Sequence, residues 1–171
     1  MARTLLSFLL VGALLWGSCQ HPTANTPNLQ DLRIEVRGVS VYSQPERAQS
    51  ASSVSGKPIF VIFDSPVVGS SKCTQYVFEV LKTHSELQNE FELLYLNLDN
   101  RTRLDTPRII TENGSTKKLR TVGDEHLMFM FETFHGFSNY LYAVLDEDLE
   151  IIKEPIDIFR NQEEVLDYLQ D

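Results

Sequence analysis

Ile59-Phe60-Val61-Ile62-Phe63 is an unbroken run of apolar β-branched and aromatic residues, and Phe91-Glu92-Leu93-Leu94-Tyr95-Leu96-Asn97-Leu98 is a second run, apolar at most positions. Runs of this kind suit strands covered on both faces, as in the middle of a mixed or parallel sheet. Between them a polar loop, Asp64 to Lys72, leads into Tyr76, Val77, Val80, Leu81 and Leu87 at helical spacing. A strand, a helix and a strand in that order predict a crossover that leaves the two strands parallel. The expected fold class is α/β.

Outward from this unit the period of the pattern changes several times. Upstream, Pro45 to Val54 reads as a helix stopped by Ser55-Gly56-Lys57-Pro58. Downstream, Asp99 to Arg108 is polar and loop-like, and Arg108 to Arg120 reads as a hairpin around Asn113-Gly114, a preferred two-residue turn. Asp124 is expected to cap a helix from Glu125 to Phe134, with Leu127, Met128, Phe131 and Phe134 as its apolar residues. Tyr140 to Leu145 is a third main strand. Asp146 to Asp148 turns the chain into Leu149 to Ile152, a fourth strand antiparallel to the third. Asn161 caps a closing helix through Leu169, with Val165, Leu166 and Leu169 facing inward. The order is β-α-β, an insert, α, then β-β-α. That is the thioredoxin order, a three-layer arrangement of a central mixed sheet with helices on both faces and here a β-hairpin insert.

The start of the chain has a different character. Arg3 gives a short positive head, and Leu5 to Trp16 is almost wholly apolar and uncharged. A spanning helix needs about 20 apolar residues; this run is shorter and suits the core of a secretory signal. Gly17, Ser18 and Cys19 follow. Small residues before a cysteine resemble the lipobox of bacterial lipoproteins, which implies a cysteine thiol that is acylated and becomes the new N-terminus. Trp16 stands where that pattern usually has Leu, and an ordinary cleaved signal with Cys19 incidental is the competing reading. Residues 1–19 are thus expected to be a lipoprotein signal peptide. Gln20 to Leu32, rich in Pro, Asn and Thr, reads as a flexible tether, leaving 33–171 as one domain. The expected location is a bacterial cell envelope, with the domain facing periplasm or exterior and the membrane reached through the lipid on Cys19.

The formal charge of the chain is -9, and the leader's only charge is Arg3, so the rest carries -10. Such a balance repels phosphate backbones and argues against a nucleic-acid partner. Lys117, Lys118 and Arg120 are the one basic concentration, on what reads as a solvated hairpin. His21, His84, His126 and His135 stand singly, so no metal is expected, and no cofactor motif is present. Asn100-Arg-Thr and Asn113-Gly-Ser match the glycosylation sequon, chance matches behind a bacterial leader. The chain has 2 cysteines. With Cys19 acylated, Cys73 is a lone thiol that forms no internal disulfide.

Several segments together resemble the C-terminal periplasmic domain of DsbD-type thiol–disulfide interchange proteins, in the form common in Bacteroidetes-like bacteria. They are Gly56-Lys-Pro-Ile-Phe-Val-Ile-Phe63, Glu112-Asn-Gly114 followed by Leu119-Arg-Thr-Val-Gly-Asp124, and Tyr142-Ala-Val-Leu-Asp146. The resemblance spans about Val39 to Asp171 and implies a thioredoxin-like redox domain. It also marks two departures. The family carries Cys-x-x-Cys after the first main strand, where the helix start favours the attacking thiolate and the second cysteine resolves the mixed disulfide. Here the loop reads Phe63-Asp-Ser-Pro-Val-Val-Gly-Ser-Ser-Lys-Cys73. Aligned on Tyr76 and Val80, Cys73 takes the resolving position and Ser70 the attacking one; a gapless alignment puts Val68 and Ser71 there instead. Either way the dithiol is gone, leaving Ser70, Ser71 and Lys72 as a degenerate redox loop. The family's cis-proline position is held by Tyr140, after Asn139, where a cis bond costs about 3 kcal/mol without proline, so a trans bond is expected.

These features point to an envelope lipoprotein whose thioredoxin-like domain has a non-catalytic binding or scaffold role, with an unidentified envelope protein as partner. The alternative is a thiol–disulfide oxidoreductase acting through Cys73 alone, with Lys72 beside it. A hydrolase built on Ser70 or Ser71 lacks any nucleophile-elbow pattern. The aromatic stretch Met128 to Phe137 offers a partner-binding surface or a core helix, and burying Leu127, Met128 and Phe131 would turn Phe129 or Met130 to the other side.

Overall fold

The computed structural model describes residues 33–67, 72–112 and 115–171. The leader, Cys19, the tether, Val68, Ser70, Ser71 and the turn Asn113-Gly114 lie outside them.

The described residues open with a feature the sequence pattern did not signal. β1 (Ile34–Val36) and β2 (Val39–Val41) form an antiparallel hairpin. Arg37 and Gly38 make its turn with φ of 52° and 80°, the doubly left-handed geometry that suits a two-residue hairpin. Tyr42 continues from β2 alongside the main sheet: its N–H donates to Leu93 O at 2.8 Å and its carbonyl accepts from Tyr95 N at 2.9 Å. Arg33 secures the beginning. Its guanidinium pairs with the carboxylate of Glu92 and lies 4.6 Å from the centre of the Tyr42 ring, while Ser55 Oγ donates to Glu92 Oε1 at 2.9 Å.

α1 (Pro45–Ser55) starts with proline at its first position, where a missing N–H is harmless. β3 (Ile59–Asp64) is buried at every residue. It runs parallel to β4 (Glu92–Asn97), Ile59 beside Glu92 and Asp64 beside Asn97, as expected from the strand–helix–strand unit. β7 (Tyr140–Leu145) lies antiparallel on the other side of β3, and β8 (Ile151–Ile156) is antiparallel to β7. The result is a mixed four-stranded sheet of order β4-β3-β7-β8. α2 (Lys72–Thr83) crosses between β3 and β4. Leu87 belongs not to α2 but to a short separate helix, α3 (Leu87–Glu90).

Alternation along the strands divides the core. Phe60, Ile62, Leu93, Tyr142 and Val144 face α2 and the closing helix α5 (Gln162–Gln170). Ile59, Val61, Phe63, Leu94, Leu96 and Leu145 face α1 and α4 (Val122–Phe134). Each such large apolar side chain contributes about 1.5–3 kcal/mol by leaving water. Asn161 caps α5 as expected, its side chain accepting from Glu164 N at 2.9 Å. Val165 and Leu169 are buried, and Tyr168 joins them where Leu166 is only partly covered.

The insert is longer than the polar reading of residues 99–108 implied. β5 (Arg103–Glu112) begins at Arg103 and pairs with β6 (Ser115–Thr121), Glu112 opposite Ser115. α4 starts earlier than expected. Thr121 is its N-cap, and Asp124 is the third helical residue of a reciprocal capping box: Asp124 N donates to Thr121 Oγ1 at 3.2 Å and Thr121 N to Asp124 Oδ2 at 3.0 Å. The buried face is also turned. Gly123, His126 and Met130 are buried, Leu127, Met128 and Phe131 only half so, and Phe129 stacks on Phe63 with ring centres 6.1 Å apart. The fourth strand runs from Ile151 through Pro155 to Ile156, later than the Leu149–Ile152 expected from pattern; Leu149 stays in the turn. Among the described residues no helix is long and apolar enough to cross a membrane.

Candidate functional site

The carboxyl ends of parallel strands are where an α/β sheet gathers loops and helix starts, and so where side chains converge. Here β3 ends at Asp64, β4 at Asn97, α2 begins at Lys72, and β7 starts opposite Asp64 with Tyr140.

Asp64 is 2% exposed, yet it is a carboxylate residue. Burial of such a group demands donors, and they are present. Thr74 Oγ1 donates to Asp64 Oδ1 at 3.0 Å, and Tyr95 OH donates to Asp64 Oδ2 at 2.9 Å. The hydroxyls of Thr74 and Tyr142 lie 3.0 Å apart, extending the network across the sheet. Burial, and then the charge of Asp64, push the Tyr95 phenol well above its usual range. Asp99 holds the chain leaving β3: its Oδ2 accepts from Ser65 Oγ and from Val67 N, both at 2.8 Å.

Cys73 lies in the first turn of α2, half-buried against the core. Its thiol donates to the Phe159 carbonyl at 3.2 Å. A carbonyl oxygen accepts a thiol proton and offers nothing to a thiolate. Lys72 beside it is exposed, and no ion pair to it is found among the described residues. Tyr140 shares the site. Its peptide bond is trans, as are all described bonds. Ser138 Oγ donates to the Tyr140 carbonyl at 2.6 Å. Burial, then the charge of Asp64, raise the Tyr140 phenol.

The structure places Cys73 close enough to Tyr140 to act on its phenol, beside a network that the sequence reading did not foresee. Ser70 and Ser71 fall outside the described residues. Among those residues no group of three His, Cys, Asp or Glu side chains is arranged to hold a metal. Disulfide turnover needs an attacking thiolate and a second thiol to release the product; the described site offers one sulfur, with its proton engaged. The aromatic stretch splits in two. Phe129, Met130 and Phe134 pack toward the core, whereas Phe137 is 61% exposed and stacks on Phe131 with ring centres 4.8 Å apart. The sequence matches no protein-family model and no curated protein.

Proposed function

We propose that this chain is a cell-envelope lipoprotein, acylated at Cys19, whose thioredoxin-like domain binds a partner without redox turnover. The observation that carries the non-catalytic reading is the state of Cys73: half-buried in a helix, its thiol proton directed at Phe159 O, and without a second cysteine in residues 20–171. The thioredoxin-like part of the reading is supported by the parallel β3–β4 pair joined through α2, the antiparallel β7–β8 pair, and helices against both sheet faces. The binding role rests on a scaffold kept intact around a site with one thiol.

The test is disulfide reduction by the chain Gln20–Asp171. With dithiothreitol as electron source, insulin reduction should proceed no faster than with dithiothreitol alone. Ser70→Cys would restore a Cys-x-x-Cys spacing ending at Cys73 and should permit an internal disulfide, which forms when the two Cβ atoms come within about 3.5–4.5 Å, but only weak turnover, because Tyr140 still holds the proline position. Robust turnover by the unmodified chain, abolished by Cys73→Ala, would overturn the proposal in favour of a monothiol oxidoreductase.

A further inference from the structure

The β5–β6 hairpin reverses the charge of the molecule locally. Residues 101–120 hold six basic and two acidic side chains, a net +4 in a chain of -9, so everything else carries -13. Pairing organises these charges. Leu119 is buried and Arg108 reaches Glu125 of α4 at 3.4 Å, which fixes the inner face of the hairpin. Lys118 and Arg120 alternate with Leu119 and stand on the outer face, both exposed. There they line, with Arg101, Arg103 and Asp105, a shallow hollow of about 530 Å³. None of Arg101, Arg103, Lys118 and Arg120 has an ion-pair partner among the described residues. Ile109, paired directly with Lys118, is 69% exposed.

Four cations around one hollow, with one anion among them, suit a surface dense in phosphate. An exposed isoleucine beside Lys118 at the edge of this patch suits a surface with hydrocarbon beneath its charge. Both conditions are met by anionic phospholipid. Fourteen residue steps from Cys19 to Arg33 reach at most about 50 Å, so a chain anchored at Cys19 keeps the domain against that surface. Screening over about 10 Å at 0.1 M salt lets the patch act in spite of the acidic remainder. We infer that the outer face of the β5–β6 hairpin is a membrane-contact site for anionic phospholipid headgroups, orienting the domain on the bilayer to which it is tethered. This rests on the lipid-anchor reading above.

The experiment supplies the tether artificially, so that it stands whether or not Cys19 is acylated in the cell. Both apolar clusters are built from residues within 33–171, so the chain Gln20–Asp171 retains the core. It is held through an N-terminal hexahistidine on nickel-chelating vesicles of phosphatidylcholine, with or without phosphatidylglycerol. The chain's single tryptophan is Trp16 in the leader, which makes Ile109→Trp a sole reporter at an exposed position. Its emission should move to the blue on phosphatidylglycerol vesicles and not on phosphatidylcholine alone. The shift should be lost in 0.5 M salt and in the Lys118→Glu, Arg120→Glu double variant. The same emission on both vesicles, or a shift indifferent to the double substitution, would overturn the inference. So would an equal shift caused by soluble polyphosphate without vesicles, which would assign the face to a dissolved anion.

Discussion

His126 holds one imidazole between two backbone carbonyls, Asn97 O at 2.9 Å from Nδ1 and Ser43 O at 3.2 Å from Nε2. A neutral ring donates from only one nitrogen, so the cation alone would satisfy both carbonyls. Burial works the other way. It is the largest influence and holds the pKa below the ordinary value of 6.5, although both carbonyls, Glu125 and Glu46 favour the charged ring. The unfolded chain therefore takes up this proton at higher pH than the folded one. The resulting stability is complete above pH 6.5 and is lost as pH falls toward the folded-state pKa. Urea midpoints measured from pH 7.5 to 5 should fall for the parent chain and fall less for His126→Gln. A parent midpoint that rises on acidification would mean that the two carbonyl hydrogen bonds outweigh desolvation.

The helix α4 depends on a contact that leaves no room for a side chain. A Cβ at Gly123 would lie 2.5 Å from Leu98 O and 2.9 Å from Asn100 O. Those are backbone atoms held by their own bonds, Gly123 N itself donating to Asn100 O at 2.8 Å. Gly123→Ala should therefore destabilise at the upper end of the ~1–3 kcal/mol typical of overpacking, or beyond it, despite alanine's better helix propensity. Denaturant unfolding of the variant measures it; an unchanged midpoint would show that α4 can slide away from β4. The same helix shows where sequence reading ran out. Leu127 to Phe131 are five consecutive apolar residues, so helical periodicity cannot choose a face, and the choice fell to packing on the sheet, with Met130 in the core cluster and Phe129 and Phe134 against Phe63. By contrast β3 and β4 were legible because strands covered on both faces are apolar throughout, and their parallel pairing followed from the helix between them. The β1–β2 hairpin, with three-residue strands, leaves no periodic signal. Cys73 and Tyr140 were singled out in the sequence by their place in the family pattern alone. The Asp64 network was not, since its members lie 31 and 68 residues apart along the chain and meet only through strand register and the packing of α2 on the sheet.

At the scale of the whole molecule the reading turns on Cys19. Cells given a labelled fatty acid should incorporate it into the parent protein, and Cys19→Ser should abolish labelling while leaving the protein unprocessed or released. Label persisting on the Cys19→Ser protein would remove the anchor, though not the hairpin's affinity for lipid measured on nickel vesicles. Were the domain anchored at Cys19 as proposed, it would also carry load, and the Arg33 cluster would bear on where that load goes. A pull arriving along the chain from residue 32 meets the Arg33 guanidinium before it meets β1. Without a grip there, force would enter at the free end of a hairpin three pairs long and open it pair by pair, as a zipper opens. Because Arg33 is clamped to Glu92 and seated over Tyr42, part of that tension would pass instead into β4, which is bonded along its full length to β3. The ion pair acts as the strain relief does on a cable, keeping a tug at the cord from reaching the solder joint.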